Sequence, residues 1–470
     1  MMKQRIIVWF RKDFRLYDNP ALYSAALRGK VLPVYIYDEK YEGSWRTGSA
    51  SKWWLHSALY DIKERLAELN IPFIIQKGNS LTILRKIIRD TNADALYLNV
   101  RHEPHAYQQD QEIMKQLRQE DIVCHTFESH LLLPSHTVKK ANGEPYKVFT
   151  PYYKAFLNQM VPKPFPIPEL TSFSYEDTLQ IEDLQLLPKV NWIDDIAKNW
   201  EPTERAAYVK LRTFASHKIV DYEKGRDFPS HALHSAISPY LAFGQLSPRA
   251  VYHYIASKQE GHAFIRQLIW REFAYHLLHH FPHTVTEPLN GNFQYFPWRD
   301  DEDSFEAWSK GRTGYPLVDA GMRELWATGF MHNRVRMVVS SFLVKHLLIP
   351  WQKGAAWFWD TLVDADLANN TMGWQWVAGS GADAAPYFRI FNPVTQGEKF
   401  DDTGEYVRKW VPELGSLPNK YIHKPWIAPK NVLDEANVIL GITYPYPIVD
   451  HAAARARALH AYEAMKKSLS

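Results

Sequence analysis

Cysteine is almost missing from this chain: Cys124 is the single one in 470 residues. That excludes an internal disulfide framework and a multi-cysteine zinc site. No apolar run approaches the ~20 residues that cross a bilayer, and no basic, apolar, small-residue leader opens the chain. A cytoplasmic protein without membrane attachment is therefore expected. Excess charge of one sign is lacking too, with 55 Lys and Arg against 52 Asp and Glu. A DNA-binding face would have to be a local patch balanced by acidic surface elsewhere. Internal repeats, low-complexity tracts and a P-loop pattern are also absent.

Aromatic surface, in contrast, is plentiful: 14% of residues, including 17 tryptophans. Most should fill core space, because large aromatics bury well. A chain of this length exceeds one ordinary core, so two domains are expected. Residues 1–130 alternate β-rich runs (Arg5–Phe10, Val31–Tyr37, Pro72–Gln76, Ala95–Val100, Ile122–Phe127) with helical stretches such as Ser51–Leu69 and Leu81–Thr91. Continuous apolar strands separated by helices predict an α/β doubly wound parallel sheet. Residues 131–200 read as a connector: Pro162–Pro168 suits neither regular helix nor central strand, and Ser172–Lys189 is acidic and weakly periodic. From 201 to 470 the helical period recurs, over Glu201–Ser216, Pro248–Lys258, Phe264–His280, Tyr315–Thr328 and Asn333–Leu348, predicting an all-α domain.

Two apparent motifs carry little. Gly379-Ser380-Gly381-Ala382-Asp383-Ala384 fits G-x-G-x-x-A but follows a helical pattern instead of a strand. His276, His279, His280 and His283 cluster without H-E-x-x-H and read as packed or solvated histidines.

Four segments of the helical half are rich in polar and aromatic groups. Asp221–Pro229 is followed by Ser235-Ala236-Ile237-Ser238-Pro239, small residues ahead of a proline-started helix. Free N–H groups there suit phosphates, although on this segment alone a plain helix cap is the favoured reading. Gln267, Trp270 and Arg271 share one helical face, where an amide, an indole and a guanidinium could bind a base and a phosphate. A helix with one core tryptophan accounts for them as well. Asn333, Arg336 and Met337 share another face, leaving Arg334 to reach towards solvent or DNA. In Asp364–Trp376, Asp366 and Asn370 are neighbours one turn apart, while Trp374 and Trp376 point to different sides.

At these residues the chain resembles the photolyase/cryptochrome family. Trp9-Phe10-Arg11-Lys12-Asp13-Phe14-Arg15 matches the family's opening motif apart from Phe14. Trp270-Arg271-Glu272-Phe273, Gly314-Tyr315-Pro316, Met331-His332-Asn333-Arg334, Trp374-Gln375-Trp376 and Tyr387–Pro393 match in order across nearly the whole chain.

The resemblance implies FAD in the helical domain. Tyr222 and Ser235, Ala236, Ile237 and Ser238 would hold its pyrophosphate, although His234 and Ala236 stand where many relatives have Thr and Arg. Phe264, Arg271, Asn333, Arg336, Asp364, Ala365 and Asp366 would surround the flavin, with Arg336 paired to Asp364, fixing dipoles around an anionic reduced ring. Asn370 takes the position facing flavin N5, where a neutral amide favours repair over signalling. Trp374, Trp351 and Trp298 match the electron-relay tryptophans. Trp270, Trp376 and Met337 would line a cavity for a flipped pyrimidine dimer in UV-damaged DNA. Arg226, Arg334, Arg389 and Gln396 would grip the strand.

The implied activity is light-driven splitting of cyclobutane dimers by a monomer. In the first domain, Asn99, Arg101 and Glu103 would line an antenna site for methenyltetrahydrofolate, a deazaflavin or a second flavin. His105-Ala106 replaces the Asn-Glu of some folate-binding relatives. Gln267 departs from the Glu of familiar dimer photolyases and agrees with (6-4) enzymes and animal cryptochromes. Those enzymes, however, carry histidines at the positions of Asn333 and Met337. A cryptochrome-type photosensor is the other alternative, disfavoured by Asn370 and by a C-terminal segment, Pro447–Ser470, that reads as helix and not as a disordered tail.

Overall fold

The structure is a computed structural model that describes residues 4–187 and 192–469. Residues 188–191 of the expected connector lie outside the described residues. The first domain is a five-stranded parallel sheet of β1 (Gln4–Phe10), β2 (Gly29–Tyr37), β3 (Ile74–Lys77), β4 (Ala95–Asn99) and β5 (Val123–Phe127). Its strand order is β3-β2-β1-β4-β5. Helices α1 (Pro20–Arg28), α2 (Ser49–Glu68), α3 (Ser80–Thr91) and α4 (Pro104–Gln119) connect the strands in sequence. In central β1, Ile6 to Phe10 are all buried, as a strand covered on both faces requires. Asn19 and Asn79 cap α1 and α3 by accepting the Leu22 and Thr82 N–H groups, which satisfies otherwise orphaned donors.

Strand order reverses beside β1, so the carboxyl ends of β1 and β4 flank the crevice where doubly wound folds bind ligands. The opening Arg-Lys-Asp-Phe-Arg run follows β1 into this place and is consumed by packing. Arg11 pairs with Asp110 at 2.9 Å. Arg15, wholly buried, donates to the carbonyls of Asp18, Ser129 and Gly244. Gly244 belongs to the helical domain and has φ +65°; a Cβ there would sit 2.2 Å from the Lys12 carbonyl oxygen. Trp54 of α2 is buried among Trp200, Tyr240 and Phe243 and donates to Gln245 at 2.7 Å. One hydrophobic core thus runs through both domains.

The connector is more structured than its sequence implies. It contains α5 (Phe149–Phe156), and Val31 and Ile75 of the sheet bond its Thr171 and Leu179. The rest is helical, as expected, with two departures. The helix starting at Glu204 passes into a π-helical turn over Phe214–Lys218, and the helix Asn333–Ser341 into another over Phe342–His346. The final segment is a helix, His451–Ser468.

Candidate functional site

Asp364 lies at the centre of the site. Arg336 donates from Nη2 to both of its oxygens, at 3.0 and 2.9 Å, and Ser238 Oγ donates at 2.7 Å. Asp364 is buried and Ser238 is exposed, so the cluster opens outward from a charged, desolvated floor. Arg336 is aimed by the Met331 carbonyl and lies over the Phe330 ring. Asp366 caps the helix Leu367–Ala378: its Oδ1 accepts the Asn369 N–H, and its Oδ2 accepts the Tyr275 hydroxyl. One turn on, Asn370 donates its side-chain N–H to the Ala355 carbonyl at 3.0 Å. Its carbonyl oxygen and second N–H remain, and a neutral amide carries no acidic proton to transfer.

Arg271 is buried on the helix His262–His280. It donates from Nη1 to the His130 carbonyl and lies over the Tyr275 ring. His130 Nε2 meets the Tyr275 hydroxyl at 2.7 Å. Burial, with the Arg271 charge beside it, holds His130 neutral, well below the usual histidine range. Arg271 Nη2 is buried without a partner among the described residues, as is Trp374 Nε1. Buried donors without acceptors are costly, and the polar edge of a bound flavin nucleotide would satisfy Arg271 Nη2. Ser235–Ser238 runs past this floor with Ala236 at φ 54°, a left-handed conformation that a non-glycine residue holds only under constraint. Ile237 and Ala365 are core residues that anchor the neighbouring backbone. Tyr222 packs edge to face with Phe264 and Phe214, and Phe264 lies tilted against Phe214, so together they build a wall. The helix beginning at Ser238 is only five residues long.

On the neighbouring surface Trp270 is half-buried and stacks flat on Phe149 of α5, with centroids 3.6 Å apart and planes at 10°. Asn333 Nδ2 and Met337 Sδ lie 4.0 Å apart. Trp376 is half-buried on the helix Leu367–Ala378, which packs against the Trp270 helix. Among the described residues the side chain of Gln267 makes only a long 3.5 Å contact to its own helix, leaving its amide available. Arg226 and Gln396 are half-buried and Arg389 is exposed, beside Phe388 at 64% exposure. Arg334 departs from expectation. It is 18% exposed, pairs with Asp227 at 2.9 Å and covers the Phe400 ring, so it secures the Asp221–Pro229 segment and does not project.

The relay expectation also changes in detail. Trp351 and Trp374 are each 2% exposed, and Trp298 is half-buried. Ring contact links Trp374 to Phe358 at 5.0 Å and to Trp308 at 6.2 Å, and Trp298 to Phe296 at 4.4 Å. Trp374 reaches the Trp351 helix through Gly354, whose missing Cβ makes room for the indole.

Among the described residues no histidine, cysteine, aspartate and glutamate group is arranged to hold a metal. His276 is buried, accepts the Tyr146 N–H and is held by burial at about 4. Gly379 ends a helix at φ 81°, so the glycine pattern is a helix stop. In the first domain Asn99 is fully engaged: it donates to Asp13 and Asn19 and accepts from Ala21. That corrects its expected antenna role. Arg101 and Glu103 pair at 2.8 Å beside a gap of about 10 Å³. A larger cavity of about 120 Å³ adjoins them, walled by Trp9, Tyr35, Tyr37, Tyr41 and Phe243, with Lys52 and Arg101 at its edge. Sequence reasoning passed over Phe149, which sits in a segment with no motif. It also passed over Tyr275, whose spacing one turn after Arg271 was a usable signal.

The chain matches family models described as DNA photolyase over residues 6–169 and as FAD binding domain of DNA photolyase over residues 264–464. It is 48% identical to a deoxyribodipyrimidine photo-lyase of Agrobacterium fabrum, covering 98% of each chain. It is 38% identical to cryptochrome-2 of Arabidopsis thaliana, covering 97% of this chain and 78% of that one. The solved structure of a bacterial class III photolyase from Agrobacterium tumefaciens superposes with a TM-score of 0.96 at 46% identity, covering 99% of this chain and 98% of the other. The two-domain architecture, the matched FAD-binding region and these full-length likenesses place the chain in the photolyase/cryptochrome family.

Proposed function

We propose that the protein is a flavin-dependent carbon–carbon lyase that splits cyclobutane pyrimidine dimers in UV-damaged DNA under blue light. Asn370 carries this reading within the family. Anchored by one N–H on the Ala355 carbonyl, it presents a neutral amide where an acid would supply a proton, which suits a cofactor kept reduced. Bound FAD, reduced and excited, supplies the electron that opens the cyclobutane ring and regains it afterwards, so no net redox change occurs.

The chain's own residues hold and shield the reactants. Arg336, Asp364 and Ser238 form the polar floor of the cofactor site, and Arg271 adds a free guanidinium N–H. Trp270, fixed by Phe149, offers a flat face to an extruded dimer, with Trp376 and Met337 lining the same cavity. Gln267 donates to the pyrimidine carbonyl edge. Arg226, Arg389 and Gln396 hold the sugar-phosphate backbone. Trp374, Trp351 and Trp298 conduct electrons inward when the cofactor is oxidised. The aromatic cavity beside Arg101 takes a planar antenna, methenyltetrahydrofolate first, then a deazaflavin or second flavin. The absorption spectrum of the heat-released chromophore distinguishes these.

The deciding experiment illuminates photoreduced holoprotein with oligonucleotides carrying a cyclobutane thymine dimer or a (6-4) photoproduct. Restoration of the first alone is expected. Restoration of the second alone would give Gln267 the greater weight in lesion choice. Restoration of neither, with the flavin still photoreducing, would favour the photosensor reading raised by the cryptochrome likeness.

A further inference from the structure

Lys345 is a lysine in an unusual place. It is 1% exposed, on the π-helical turn Phe342–His346 that extends the Asn333 helix. Its ammonium donates to the Arg389 carbonyl at 2.9 Å and lies 5.2 Å from the centre of the Tyr387 ring. An ammonium can donate three hydrogen bonds, and the Arg389 carbonyl is its one acceptor among the described residues. Burying such a charge is expensive, and one carbonyl with one ring face compensates poorly. π-turns of this kind concentrate where function needs a side chain aimed off the α-helical register.

The segment it grips joins the Trp376 helix to the helix Pro393–Phe400 that carries Gln396. That segment has no regular structure between Gly379 and Asn392. Ser341, one turn before Lys345, accepts the Phe391 N–H at 3.4 Å, and Tyr387 lies flat on Tyr462 of the C-terminal helix. Phe388 and Arg389 project outward from this clamped stretch.

We infer that Lys345 is a positioning residue for DNA recognition: by holding the Arg389 backbone it fixes the outward presentation of Phe388 and Arg389. The inference rests on the reading of the Arg389 face as a DNA contact. It makes affinity depend on the charge of one buried amine. Burial, assisted by the Arg389 charge, brings Lys345 down to about 7. The clamp is therefore at full strength below pH 7 and weakens above it. His346 is held at about 3 by burial and by His451. His451 and Arg457 are also shifted down and Tyr387 is pushed up, each chiefly by burial.

The test measures dark binding of holoprotein to a short duplex with one thymine dimer, by fluorescence anisotropy at fixed salt from pH 6 to 8.5. For the wild type, Kd is expected to rise through pH 7. Lys345→Arg should bind tightly with a flat profile. Lys345→Met should bind roughly tenfold more weakly at pH 6, also flat, the equivalent of one lost hydrogen bond from a charged group. Its turnover at saturating duplex and its flavin spectrum should match the wild type. Lys345→Met binding like the wild type at every pH overturns the inference, as does a pH step that persists in Lys345→Arg. If Lys345→Met fails to retain flavin, the Lys345→Arg profile decides alone. Arg389→Ala binding like the wild type overturns the DNA-face reading itself, a failure distinct from that of the clamp. Amide exchange over Tyr387–Phe391 follows the clamp without DNA.

Discussion

Gly354 and Gly373 offer a paired test of how Trp374 is seated. Both are helical glycines, and in an open helix an alanine would stabilise either by up to about 1 kcal/mol. At Gly373, exposed and with no atom within 4 Å of the place a methyl group would take, that gain should appear. At Gly354 the new Cβ would lie 2.1 Å from Trp374 Cη2 and 2.6 Å from Leu343 Cδ2. The indole cannot retreat, because Phe358 and Trp308 hold its other sides and it is 2% exposed. Overpacking of this kind costs about 1–3 kcal/mol, which outweighs the helix gain and leaves a net loss of about 1 kcal/mol. The two alanine variants should thus differ by about 2 kcal/mol, with opposite signs against the parent. Urea unfolding followed by circular dichroism measures this, and the flavin photoreduction rate should fall for Gly354→Ala alone. If Gly354→Ala proves as stable as Gly373→Ala and photoreduces normally, the tight seating of Trp374 on its neighbouring helix is wrong.

Asp364→Asn should cost about 2–3 kcal/mol by stranding the Arg336 guanidinium, and gel filtration should show FAD loss. His234 stacks on Phe330 and has a buried Nδ1 without a partner among the described residues; burial depresses it to about 4. Its stability contribution is complete above pH 6.5 and is lost as pH falls towards 4. His234→Phe should therefore flatten the thermal-stability profile between pH 7.5 and 5, by about 2 kcal/mol at pH 5. Phe149→Ala removes the ring behind Trp270; a stability loss of about 3–4 kcal/mol in urea should accompany weaker dimer-duplex binding with unchanged affinity for undamaged duplex.

The strands were readable because a parallel sheet buried on both faces demands unbroken apolar runs, and Ile6–Phe10 is one. The polar floor was readable through short spacings: Arg336 and Asp364 each sit in a segment dense with polar and aromatic groups, and their pairing followed from the family likeness. The π-turns were hidden because hydrophobic periodicity survives one extra residue, so Lys345 and His346 looked like an ordinary helix end. Phe149 was hidden because its value comes from Trp270, distant in sequence, and no local pattern records that contact. Arg334 and Asn99 misled for the opposite reason: their chemistry suits ligands, but Asp227, Asp13 and Asn19 had already claimed it. Motif position predicted which residues matter better than it predicted what they touch.

The bond from Arg15 to Gly244 spans 229 residues, and it sets a timetable for synthesis. At ribosomal speeds of about 5–20 residues per second, Arg15 waits about 10–45 s for its acceptor to emerge. Over that interval a nascent first domain carries a buried guanidinium bonded to Asp18 and Ser129 but lacking its Gly244 acceptor, together with the bare face of Trp54. Such an intermediate is a natural client for a holdase. A stalled or truncated chain ending before Gly244 would be expected to aggregate instead of persisting as a free α/β domain.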